Sequence, residues 1–129
     1  MKIAILTSSF PRRPGDYQGN FVFYQARGQA ENGNDVHIVC PHVPGTPFHE
    51  VMEGVEVHRF PYFYPCRFQR LSLGGGMYSA LRQSPLAVLQ LPFFLVCEWW
   101  CAWRVIRHHH IDIIHSHWFI PSGLVGALL

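Results

Sequence analysis

Two histidines one residue apart, His115 and His117, follow the apolar run Ile111-Asp112-Ile113-Ile114 and precede Trp118, and Pro121-Ser122-Gly123 opens a further apolar stretch. In an extended strand such a pair shares one side while Ser116 points to the other. Ligands of open α/β sheets bind beyond the carboxyl ends of the parallel strands, where the next helix offers free backbone N–H groups. His115 and His117 therefore stand where a substrate is held or a proton moved. A second candidate is the loop 7–20, in which Gly19 immediately precedes a helix. Without a Cβ it lets a phosphate or sugar approach backbone N–H groups, although a plain turn glycine is the competing reading. Arg12 and Arg13 in the same loop are candidates for an anionic acceptor group or, alternatively, solvated loop charges.

The elements that must position these residues read as alternating strands and helices. Residues 3–7 and 35–41 are short apolar runs with β-branched members, the pattern of strands buried on both faces. Between them Asn20 is suited to cap a helix carrying Phe21, Tyr24 and Arg27, and Gly33 to end it in a left-handed conformation. A β-α-β unit with a right-handed crossover makes the two strands parallel. Glu53-Gly54 reads as a turn before the alternating strand Val55-Glu56-Val57-His58-Arg59-Phe60, which Pro61 and Pro65 stop. Residues 62–76 read as an ordered surface loop followed by a short helix, and residues 41–49 as a second variable loop.

Residues 86–107 are apolar and aromatic, so a membrane-spanning segment has to be weighed. Gln90, Pro92 and Glu98 interrupt the run, and Arg104 and Arg107 close it. A helix packed on the sheet is the preferred reading, with Trp99 or Trp103 resting at a membrane interface as the alternative.

The chain has 129 residues, 49% of them hydrophobic, which predicts one globular domain with a substantial core. A formal charge of +2 gives no basis for nucleic-acid binding. Cys40, Cys66, Cys97 and Cys101 form no CxxC pair and the N-terminus carries no signal-peptide run, so a reducing cytoplasm fits. The first loop lacks GxGxxG, and Cys40-Pro41-His42 ends the second strand without an acidic residue for a ribose, which argues against a nicotinamide enzyme. A metal site built from His108, His109, His110, His115 and His117 is disfavoured, because three consecutive histidines cannot all face one ion. No metal and no cofactor are expected.

Taken in order, Lys2-Ile3-Ala4-Ile5-Leu6-Thr7-Ser8-Ser9-Phe10-Pro11, Gly19-Asn20-Phe21-Val22, Gly33-Asn34-Asp35-Val36-His37-Ile38-Val39 and Asp112-Ile113-Ile114-His115-Ser116-His117-Trp118 resemble the N-terminal domain of a family-four retaining glycosyltransferase of the GT-B fold. The resemblance covers nearly the whole chain and is weakest over residues 48–107. It implies an α/β fold, a Rossmann-like parallel sheet flanked by helices, binding the acceptor across a cleft from a second domain that holds a nucleotide sugar. By position it gives His117 the role of the histidine facing the reacting sugar. Gly19, with its neighbours Gln18 and Asn20, belongs to the loop approaching the donor diphosphate and acceptor; His115 is a further candidate contact or, alternatively, a structural member of the strand, and Arg12 remains a candidate on the strength of its loop charge.

Many such domains carry two adjacent glycines where this sequence has Gln18-Gly19. The donor-binding half, with its paired glutamates and basic pair, has no counterpart in residues 1–129, and the chain stops inside an apolar helical pattern. It therefore reads as a domain incomplete at its C-terminal end, inactive alone. The whole protein is expected to transfer a sugar with retention from a nucleotide-sugar donor to a glycan, lipid-linked or small-molecule acceptor. The donor is a substrate and not a cofactor. A cytoplasmic location is expected, with peripheral contact at the inner face of the membrane as an alternative. The alternative is a non-catalytic remnant, or a subunit that needs a separate donor-binding domain.

Overall fold

A computed structural model describes residues 1–13, 15–72 and 76–129. Residue 14 of the first loop and residues 73–75 of the loop expected over 62–76 lie outside the described residues. The chain runs β1 (Lys2–Leu6), α1 (Asn20–Glu31), β2 (Asp35–Pro41), β3 (His49–Met52), β4 (Val55–Phe60), α2 (Gly76–Gln83), α3 (Pro85–His109), β5 (Ile113–Ser116) and α4 (Leu124–Ala127). Among the described residues five strands form one sheet in the order β3-β4-β2-β1-β5. β1 is parallel to β2 and β5, β2 is parallel to β4, and β3 alone is antiparallel. This is the expected α/β architecture, a mostly parallel Rossmann-like sheet flanked by helices.

Each face of the sheet has its own core. Ile3, Ile5, Val36, Ile38, Cys40, Val55 and Val57 meet Val22, Phe23 and Ala26 of α1. The alternate residues Ala4, Leu6, Val39 and Phe60 meet Ala87, Phe94, Ala102 and Val105 of α3. Central strands buried on both faces need continuous apolar runs, which is why β1 and β2 are legible as strands.

α1 ends as expected. Gly33 adopts φ 87°, its N–H donates to the Ala30 carbonyl, and the Asn34 N–H reaches the Gln29 carbonyl. That pair of bonds closes a helix through a left-handed residue. The start differs by one position: Gly19, at φ 67°, is the capping residue, and Asn20 is the first helical residue.

β3 is an addition to the sequence reading. Glu53 and Gly54 both have positive φ, 49° and 84°, the backbone of a tight turn whose twist suits antiparallel strands. The turn folds His49–Met52 back along β4, so the expected loop at 41–49 ends in an edge strand.

α3 is a single 25-residue helix with Pro85 in its first turn, where a missing N–H costs nothing. It is long and apolar enough to cross a membrane by length and composition. In this fold it lies along the sheet, burying Ala87, Gln90, Phe94, Glu98, Ala102 and Val105 at spacings of three and four. Its other face leaves Leu89, Phe93, Val96 and Trp100 exposed.

Candidate functional site at the carboxyl edge of the sheet

β1 and β5 deliver the two signature segments to the same edge. The β5 ladder continues one residue past the strand, the His117 N–H donating to the Leu6 carbonyl at 2.8 Å. The chain beyond β1 turns back at once, with Thr7 Oγ1 donating to the Ser9 carbonyl at 2.9 Å. The Ser9 carbonyl then fixes the far end of the loop. A Cβ at position 19 would lie 2.6 Å from that oxygen and 2.7 Å from its carbon. Both the left-handed φ and this backbone contact demand glycine at position 19.

Between the two segments lies a cleft of ≈ 530 Å³ lined by Ser8, Ser9, Gln18, Gly19 and Trp118 and, from α2, by Met77 and Tyr78. Hydroxyls, an amide and the start of α1 supply hydrogen-bonding groups suited to a sugar or a phosphate. Tyr17, Tyr78 and Trp118 are largely exposed and offer aromatic faces. Trp118 has φ 72°, a sparsely populated conformation for a bulky residue, and such strain gathers at functional sites. Its carbonyl accepts the Gly123 N–H at 2.9 Å, so the strained residue is tied to the turn that follows.

The structure places the expected site residues unequally. Gln18 and Gly19 line the cleft. His117 stands beside it, half-buried, with its ring edge-on to Phe21 of α1 at 5.7 Å between centroids. Its Nε2 is buried without a hydrogen-bond partner. Burial, and then the neighbouring His115, lower its pKa below the ordinary histidine value, which favours a neutral imidazole able to accept or donate one hydrogen bond. His115 stacks on His117 at 4.6 Å and 22° and is exposed, so the two share one side of β5 as strand alternation requires. Asn20 begins α1. Arg12 is not among the residues that line the cleft: its Nε donates to Asp16 Oδ2 at 3.0 Å within the loop, and that bond lowers the Asp16 pKa.

Two residues that shape the site escaped the sequence reading. Arg59 of β4 is buried, with Nη2 2.8 Å from Glu50 Oε1 and donating to the Pro11 carbonyl at 2.9 Å. It pins the first loop to the β3–β4 hairpin. Glu98 of α3 is fully buried and accepts the Ser122 hydroxyl at 2.6 Å, anchoring the turn after Trp118. An arginine in an otherwise alternating strand and a glutamate in an apolar helix were the available signals.

No curated protein matches the chain. The family described as Glycosyl transferase 4-like domain matches residues 18–129, a span that begins at the Gln18-Gly19 corner of the cleft and includes His115, His117 and Trp118. With its mostly parallel Rossmann-like sheet and the two signature loops meeting at the carboxyl edge, the chain belongs to the glycosyl transferase 4-like domain family.

Proposed function

We propose that this chain is the acceptor-side domain of a retaining GT-B glycosyltransferase, moving a hexosyl group from a nucleotide-sugar donor to a glycan, lipid-linked or small-molecule acceptor. The observation that carries the reading is the meeting of the 7–19 loop and the Trp118 corner in one cleft at the carboxyl edge. A donor-binding domain, in the same polypeptide or as a separate subunit, faces this edge. Exposed Phe119, Ile120 and Leu124 beside the cleft support such a neighbour.

Retaining transfer separates charge, leaving negative diphosphate and an oxocarbenium-like ring. In this proposal the start of α1 faces the diphosphate, basic groups of the donor domain supply further positive charge, and the leaving phosphate takes the acceptor proton. Neutral His117 serves to orient the sugar and forms no covalent bond to it. The exposed apolar face of α3, with Trp100 beside Arg104 and Arg107, rests at the inner face of the membrane, where aromatic and cationic side chains are favoured. The free cysteines accord with a cytoplasmic site of action.

The test uses the natural gene product carrying residues 1–129. Saturation-transfer NMR against a panel of nucleotide sugars finds a bound donor, and the anomeric configuration of the product reads out retention. His117→Ala lowers kcat/KM on the order of 10²-fold through lost positioning. Absence of binding to every donor, or an inverted product, overturns the reading.

A further inference from the structure

Four ligand-bearing side chains converge on the face of the sheet that α3 covers, toward the end of that helix. His37 of β2, Glu56 and His58 of β4, and His109 at the end of α3 each offer one ligand atom, all within 4.8 Å of one another. His37 Nδ1 is 3.2 Å from His58 Nε2 and 3.6 Å from Glu56 Oε2, and His58 Nε2 is 3.8 Å from the same oxygen. Bonds of about 2.0–2.1 Å to a tetrahedral ion set its ligands roughly 3.3 Å apart, so this triangle already has nearly the required edges. His109 stands over it, its ring centroid 4.1 Å from that of His37 and 5.7 Å from that of His58.

The folding logic explains the convergence. His37 and Glu56 are direct partners in the parallel ladder, and His58 is one step further along the same face of β4. That face is the one α3 covers, so the last helical residue, His109, comes down on them. Packed apolar side chains would be the ordinary filling. Instead His37 is fully buried, and its Nε2 has no hydrogen-bond partner, although Asp35 Oδ1 lies 3.3 Å away. A carboxylate behind the second nitrogen is the usual support of a metal-bound imidazole. His58 and His109 also border a hollow of ≈ 990 Å³ between α3 and β4, which gives an ion a way in.

We propose that His37, Glu56, His58 and His109 form a structural site for a divalent transition metal, zinc being the ion best matched to three imidazoles and one carboxylate, and that the ion clamps the end of α3 onto β2 and β4. The histidine set weighed from sequence shares only His109 with it. The site lies away from the carboxyl edge, so its role is in the fold and not in sugar transfer.

The test is zinc titration of the untagged chain by calorimetry, with metal analysis after dialysis. One zinc per chain, a melting temperature raised by zinc, and the visible ligand-field bands of tetrahedral Co2+ are expected. His58→Gln with His109→Gln weakens binding at least tenfold, in line with the roughly 10–100-fold effects of perturbing such sites, whereas His108→Gln with His110→Gln leaves it intact. Should the double variant fail to fold, Glu56→Gln, on the half-exposed side of the cluster, gives the same comparison. No stoichiometric zinc in the wild-type chain, or unchanged affinity in the cluster variants, overturns the proposal.

Discussion

The cleft is built by two loops, and each is held from beneath by one buried ionisable side chain, but in opposite electrical states. Arg59 pins the 7–19 loop as a cation, matched by Glu50 at 2.8 Å and by the Pro11 carbonyl. Glu98 pins the turn after Trp118 with only the Ser122 hydroxyl for company, and burial pushes its pKa up to about 7. A guanidinium cannot discard its charge, so burying one requires a carboxylate. A carboxyl group can discard its charge, and burial makes Glu98 hold its proton up to about pH 7. The first loop is thus anchored by a group that keeps its charge, and the second by one that titrates.

That contrast is most sharply broken at Arg59. Arg59→Met strands Glu50 and frees the Pro11 carbonyl, so we expect a loss of about 3–5 kcal/mol, the range for removing one partner of a buried pair. Urea denaturation measures it, and a loss below about 1 kcal/mol would show that the pair contributes little to seating the loop.

The second prediction concerns Glu98 and has a definite sign. Unfolded, the carboxyl ionises near its ordinary value of 4.5; folded, it holds its proton until about pH 7. Its contribution is complete below pH 4.5, falls as pH rises between those values, and is gone above the upper one. The total is roughly 3 kcal/mol at about 1.4 kcal/mol per pKa unit. Glu98→Gln removes that slope, so the stability difference between variant and wild type grows in the variant's favour from pH 4.5 to 7. Parallel stability–pH curves would refute a neutral Glu98.

The smallest effect is expected at Arg12, whose partner Asp16 sits in the same exposed loop with the arginine side chain 56% exposed. Arg12→Glu should cost less than about 1 kcal/mol and leave acceptor affinity of the full-length protein unchanged, as read by calorimetry. A loss of affinity would bring Arg12 back among the substrate contacts.

The core strands and the helix ends were legible because each rests on local chemistry. Ile3, Ala4, Ile5 and Leu6 are apolar in succession because both faces are covered, and Gly33 ends α1 by the one conformation glycine takes freely. β3 was hidden because His49-Glu50-Val51-Met52 is short, half polar and stabilised only through its pairing with β4. His37 looked like an ordinary member of β2. Its burial depends on where a helix seventy residues later comes to its end, a long-range fact that no window of sequence contains. The carboxyl-edge residues were easier to locate than to orient. His117 and Gly19 fall where strand and helix boundaries put them, whereas the pairing of Arg12 with Asp16 is a side-chain choice made within the loop.

The two borders of the sheet also differ in what they permit. On one side the ladder finishes in β3, four residues long and antiparallel, bearing His49 and Glu50, which is a poor template for another strand. On the other side β5 runs parallel to β1 and presents an outer row of backbone donors and acceptors, next to half-exposed Ile113. The architecture is therefore directional: further parallel strands have a seat beyond β5 and none beyond β3, and any enlargement of this sheet carries the cleft toward its middle.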